Sequence, residues 1–243
     1  MTWPISDLRS EILRSRKVVI MQASLQRANR FLDQPIGLAA RLMLLAAAVL
    51  LVATYFFPLW NLTMFAPQYP QGLRLDIYSY TLVGGNHGQD VKEINVLNHY
   101  IGMQDLVNES FTEFKWMPFV IGALGLLVLR AVVHGTVAAL VDVTMLFVYF
   151  GGFSLWSFGY KLYRYGHDLS PEAAMQVPPF MPPMFGYQQI ANFEVYSYPR
   201  PASYALAGVV VLLFSALVWT WWNRRPRVPA GAAAAEADRG YRR

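Results

Sequence analysis

The chain has 243 residues, 55% of them hydrophobic and only 14% charged, against about 25% charged in an ordinary globular domain, which is the composition of a membrane protein. It contains no cysteine, which excludes thiolate zinc sites, iron–sulfur clusters, CxxCH haem attachment, two-cysteine copper centres and disulfide-stapled domains. The net charge of +5 is concentrated at the ends of apolar runs, where membrane topology places it, and argues against a nucleic-acid partner.

In chain order, residues 1–35 lack the apolar core of a signal peptide. With Ser6 as N-cap, Leu8, Ile12, Val19 and Ala23 share one helix face. Arg9, Arg14, Arg16, Lys17, Arg27 and Arg30 then meet water or lipid head groups. A surface-lying basic amphipathic segment and a solvated leader are equal readings. Residues 36–60 are the first predicted span, since about 20 apolar residues cross a hydrocarbon core about 30 Å thick. Arg41 lies early enough to snorkel, and Tyr55, Phe56, Phe57 and Trp60 mark an aromatic belt.

Residues 61–116 form a polar loop too long for a turn. Leu73, Leu75, Ile77 and Ser79 alternate with Arg74, Asp76, Tyr78 and Tyr80, which predicts a strand. Gly84-Gly85-Asn86-His87-Gly88 predicts a turn with positive-φ positions. From Asp90 the spacing of Val91, Ile94, Leu97 and Ile101 is helical, and Gly102 ends that helix. The loop therefore reads as a small mixed cap.

The second and third predicted spans, 117–133 and 136–160, turn back on each other at His134-Gly135. That hairpin brings Arg130 towards Asp142, an expected structural ion pair near the membrane face. Residues 161–202 are the second polar loop, whose VPPFMPPMFG (177–186) predicts extended polyproline-like backbone. The fourth span is 203–222, and 223–243, with Arg224, Arg225 and Arg227, reads as a disordered tail.

The terminal segments, with Arg41 and Arg130, hold 14 of the 20 Lys and Arg, and the two loops hold 6. The positive-inside rule then places both termini in the cytoplasm and both loops outside, the periplasm of a Gram-negative cell. The expectation is an α-helical polytopic inner-membrane protein. It comprises a cytoplasmic segment (1–35), a four-helix membrane domain (36–222) with outer loops 61–116 and 161–202 packed on each other, and a tail (223–243). No repeat relates the two halves, which argues against a transporter built by inverted repetition.

On the expected outer side, His99 and Met103 stand four residues apart with His87 upstream, and Met181 and Met184 form an M-x-x-M pair. Imidazole with thioether suits copper; ordinary methionine packing and hydrogen-bonded loop histidines are the alternative. Asn98, His99, Tyr100 and His167 are candidate partner contacts. No GxSxG, HExxH or phosphate-binding glycine loop is present, so no catalytic activity of its own is expected.

APQYPQGL (66–73), INVLNHYIGM (94–103), YGHDLSP (165–171) and PPMFG (182–186) together carry a resemblance. The chain resembles the integral membrane protein encoded beside the atypical (clade II) nitrous-oxide reductase in bacterial nitrous-oxide respiration clusters. The resemblance covers roughly residues 57–197, is weakest in the spans and is absent from both tails. It implies a pathway, the periplasmic copper-dependent reduction of N2O to N2, more firmly than a mechanism. Three roles follow from it: an accessory subunit docking the reductase or its cytochrome donor, a copper-handling factor, or a quinol-interacting component. Docking ranks first; quinol oxidation lacks a visible redox centre to receive electrons. A small transporter or channel is the competing class, disfavoured by the scarcity of charge within the spans.

Overall fold

A computed structural model of the chain describes residues 21, 22, 26, 29–190 and 192–223. The amphipathic segment predicted from Ser6 onward falls largely outside them, as does the tail beyond Asn223. The described structure is built mainly of five α-helices, two short 3-10 turns and one five-stranded sheet.

Helix α1, Leu38–Ala53, is built from Ala, Leu and Val and begins two residues after Ile36. Its buried face, Ala40, Leu44, Ala47, Ala48 and Leu51, carries small residues that let a neighbouring helix approach closely. The helix is shorter than the predicted span 36–60. It ends where the Thr54 hydroxyl donates to the Leu51 carbonyl at 2.6 Å, and Tyr55 and Phe56 form a turn before Pro58. Trp60, expected in the aromatic belt, instead opens strand β1, Trp60–Ala66.

Strand β2, Tyr69–Ile77, returns antiparallel to β1 around Pro67-Gln68 and pairs in turn with β3, Leu82–Gly84. Helix α2, Gln89–Ile101, follows the GGNHG turn, in which Asn86, His87 and Gly88 all take positive φ (48°, 57° and 85°). Gly102, at φ 81°, terminates α2 as expected. Helices α3, Glu113–His134, and α4, Val137–His167, are joined by Gly135 at φ 64°. After a proline-rich stretch without regular structure, β4, Gly186–Ile190, and β5, Phe193–Pro199, lead directly into α5, Pro201–Asn223.

Helices α3, α4 and α5 are each long and apolar enough to cross a membrane, with mean hydropathies of 2.1, 1.7 and 2.1. Helix α1 packs against α3 and α5, and α4 packs against the same two, so the four close into a ring. Their core is mainly apolar, with Leu44, Leu51, Ile121, Val128, Leu140, Val209 and Leu213 fully buried, and the buried Thr144 and Thr220 hydroxyls donate within their own helices. Large apolar side chains also point outward, Phe119 79% exposed and Val133 78% among them. Apolar residues on both faces suit a helix solvated by lipid, not water. At the far end from the sheet, the Ile36 amide donates to the Gly135 carbonyl at 2.6 Å and the Val137 amide to Gln34 at 3.0 Å. Arg41 folds its guanidinium onto Gly135, where even a Cβ would lie 2.1 Å from it.

The sheet order is β3-β2-β1-β5-β4, antiparallel throughout. Both polar loops therefore contribute strands to one sheet, with β1 between a partner from each. Leu62 faces Leu75 on one side and Ser197 on the other. Period-two alternation turns Leu73, Leu75, Phe193 and Val195 inward. There the sheet strands join Ile94, Leu97 and Ile101 of α2 in a second core, separate from that of the bundle.

Ion pairs among the described residues join Arg74 to Asp76, Lys161 to Glu113 and Arg164 to Asp168. Arg130 and Asp142 do not form one among these; both are exposed at the end of the bundle away from the sheet. Facing outward on helices of this kind, each can reach its own polar surroundings, and the hairpin does not force them together.

Candidate functional site: the cap and the chamber beneath it

The residues singled out from the sequence are spread over the cap. His87 is exposed in its turn. His99 and Tyr100 are exposed on α2. Met103 lies beyond the helix end, packed against the cap core. The expected i, i+4 pairing of His99 with Met103 is not formed, because Gly102 takes the left-handed conformation between them and the Met103 amide turns back to the Asn98 carbonyl at 2.8 Å. Asn98 is only 2% exposed and faces inward, so it offers no surface contact. His167 stacks on Tyr163 at 3.8 Å between ring centres, its Nδ1 2.9 Å from the Tyr163 carbonyl. Met184 packs against α4 at Gly159, while Met181 is exposed. Among the described residues, no three His, Asp or Glu side chains converge as a metal would require.

The motif residues instead join the loops. Asn95 accepts from the Leu106 amide at 2.8 Å and donates to its carbonyl at 3.3 Å, fastening the chain that leaves α2. The Ser170 amide of YGHDLSP donates to the Gly102 carbonyl at 2.8 Å. A Cβ on Gly102 would meet the Ser170 backbone at 2.9 Å. The Met175 amide donates to Tyr100 at 3.0 Å, and the Phe180 amide to Gly166 at 3.0 Å. In the other direction Asp90, nearly buried, accepts from the Arg74 amide at 2.9 Å, its carboxylate pressed against Gly85. The GGNHG turn is thus a joint between β2, β3 and α2.

The sheet face turned away from α2 is rich in aromatic side chains. Tyr196 meets Phe65 edge-on at 5.6 Å and Tyr187 at 5.0 Å, and Phe185 meets Tyr198 at 5.5 Å. Tyr187, Tyr198 and Phe185 are exposed. Tyr and Phe are enriched where proteins bind one another, since they supply large contact area at low entropic cost.

Between the cap core and the bundle core lies a chamber of about 480 Å³, within the range of small-molecule sites. The inner faces of β1, β2 and β5 cover it, α2 closes one side, and the sheet-proximal ends of α3, α4 and α5 form the rest. Helix α4 contributes a stripe, Phe147, Phe150, Gly151, Ser154, Phe158, Lys161 and Tyr165, at the spacing of one helix face.

Its few polar groups are mostly satisfied. Ser157 donates to Glu113 at 2.7 Å, while Lys161 lies 3.7 Å from the same carboxylate and donates to the Ser110 carbonyl at 3.0 Å. The Lys161 ammonium also lies 5.1 Å above the Phe111 ring. The Tyr165 hydroxyl donates to Asp105 at 3.2 Å. Ser154 differs: its hydroxyl is buried and has no protein partner. The acid and the base of the lining, Glu113 and Lys161, are thus paired with each other.

Sequence reasoning missed this chamber. Its visible trace was Gly151 and Ser154, two small residues within the aromatic stripe of α4. The chain matches no protein-family model, no curated protein and no solved structure among those compared.

Proposed function

We propose that this protein is a membrane-anchored docking subunit whose cap receives a soluble redox partner. The observation that carries the reading is the single sheet woven from both polar loops and bearing the Phe65–Tyr196–Tyr187 aromatic surface. A rigid, aromatic surface fixed to apolar helices suits binding at a membrane, where confinement raises effective concentration without a tight contact. Helix α1 completes a fourth crossing, both termini are cytoplasmic and the cap faces the periplasm of the inner membrane. The 14-to-6 distribution of basic residues supports that orientation. The partner implied by the sequence resemblance is nitrous-oxide reductase or its cytochrome donor.

Deleting the gene lowers N2O reduction by whole cells while the purified reductase keeps its activity with an artificial electron donor. The double variant Tyr187→Ser/Tyr196→Ser inserts normally but no longer co-purifies the partner in mild detergent. Wild-type N2O respiration in the deletion strain would remove the pathway assignment; unchanged co-purification by the double variant would remove the surface.

A further inference from the structure

We propose that the chamber between cap and bundle is a binding site for one membrane lipid, a chain-like amphiphile with an uncharged, hydrogen-bonding head. Four observations select this class of ligand. First, the stripe on α4 runs from Phe147 to Tyr165, about 27 Å at 1.5 Å per residue. An elongated apolar space fits a prenyl or acyl chain better than a compact metabolite.

Second, the chamber opens on the side from which lipid comes. Leu155 lines it and is nevertheless 57% exposed. Leu155 is 18 residues along α4 from Val137, about 27 Å, and so within a hydrocarbon core about 30 Å thick. A ligand entering there leaves the bilayer without crossing water.

Third, the head must be neutral. Among the described residues, Glu113 and Lys161 are the acidic and basic side chains of the lining, and they pair with each other. No unpaired cation remains to hold a phosphate or carboxylate, and a buried unpaired anion would be strongly disfavoured. Fourth, a polar atom waits for the head. The buried Ser154 hydroxyl has no partner, and an unsatisfied buried hydroxyl is costly unless a bound molecule completes it. Gly151, one turn below, leaves open space, since a Cβ there meets nothing within 4 Å. With the head at Ser154, the chain follows the apolar lining along the α4 stripe.

This inference is independent of partner docking. It is tested on the full-length protein purified in mild detergent and extracted with organic solvent, the extract being analysed by mass spectrometry and ultraviolet absorbance. The expected result is about one neutral lipid per chain, a quinone absorbance identifying a prenyl ligand and an acylglycerol mass an acyl one. Gly151→Leu fills the chamber without a backbone clash and empties it of lipid. Gly152→Leu, equally free of contacts but outside the chamber lining, retains the lipid. Ser154→Ala keeps the fold and lowers retention about fivefold, the loss of one hydrogen bond. A charged phospholipid in the extract, no lipid above the detergent background, or equal retention by Gly151→Leu and Gly152→Leu would each overturn the proposal.

Discussion

Ala40, Leu44, Ala47 and Leu51 of α1 share the bundle core with Val209, Leu213 and Ala216 of α5, so that core is assembled from side chains. The cap is closed differently, with main chain against main chain: Gly102 against Ser170 and Gly166 against Phe180. Side chains can change rotamer to absorb an intruding methyl group, whereas a backbone carbonyl cannot move without taking its segment with it. Small changes of shape should therefore be felt more sharply in the cap than in the bundle.

The strongest way to break that contrast is Gly166→Ala. A Cβ there would lie 1.9 Å from the Phe180 carbonyl oxygen, so the proline-rich segment must leave α4. The expected cost is about 3 kcal/mol, at the upper end for overpacking. Hydrogen exchange should accelerate in residues 172–190 while the helices keep their protection. Loss of protection in the bundle at the same time would show that cap and bundle unfold as one unit.

A smaller effect is expected from Ser197→Ala. The Ser197 hydroxyl accepts from the Trp60 indole at 2.7 Å and donates to the Met184 carbonyl at 3.1 Å. Removing it leaves a part-buried donor and acceptor unmatched, worth about 1 kcal/mol. Thermal unfolding followed by hydrogen exchange in β5 should show a lowered cap transition, and Ser197→Thr should recover most of it. An unchanged transition in Ser197→Ala would mean that water replaces the hydroxyl.

The smallest expected effect depends on pH. Tyr69 donates to the Glu93 carboxylate, which holds Glu93 below its ordinary pKa and, through the same bond, raises Tyr69 above its own. Because the folded Glu93 value is depressed, the stabilisation is complete above the ordinary carboxylate range. It disappears as pH falls through the folded value. Tyr69→Phe should move the Glu93 titration, followed by carboxyl-carbon NMR, upward towards that ordinary range. An unmoved titration would assign the depression to Gln89, which also donates to Glu93.

The same contrast explains what could be read from the residues. The long apolar runs announced α3, α4 and α5 to within a few residues, except that α4 continues to His167. Its Tyr, Lys and Arg residues end the hydrophobic signal at about Tyr160 without ending the helix. In the cap, Leu73, Leu75 and Ile77 revealed β2, and Gly102 revealed the end of α2. Strand β5 stayed hidden because its inward row, Phe193, Val195 and Ser197, includes a serine, while its outward row includes Tyr196 and Tyr198. Such a strand has no clear apolar face to detect. The helical spacing expected between His99 and Met103 is broken by the glycine that the sequence had already marked as a helix end. Asn98, which invited a functional reading, donates to the Gln104 carbonyl at 3.4 Å in the chain that follows the helix. The backbone contacts of Gly102 with Ser170 and of Gly166 with Phe180 have no local signature, since each partner lies well along the chain.

The strand order also sets a timetable for synthesis. Trp60 on β1 must wait for Ser197, 137 positions later, before its second neighbour exists. Until β5 leaves the ribosome, β1 and β2 form a sheet with one central edge bare, a surface open to wrong pairing. Long-range pairing of this kind is slow because a large loop must close first. Three helices separate the two strands in the chain, and β5 runs straight into α5. Completion of the cap therefore coincides with delivery of the last helix, and a chain halted before that point is left displaying an unfinished sheet.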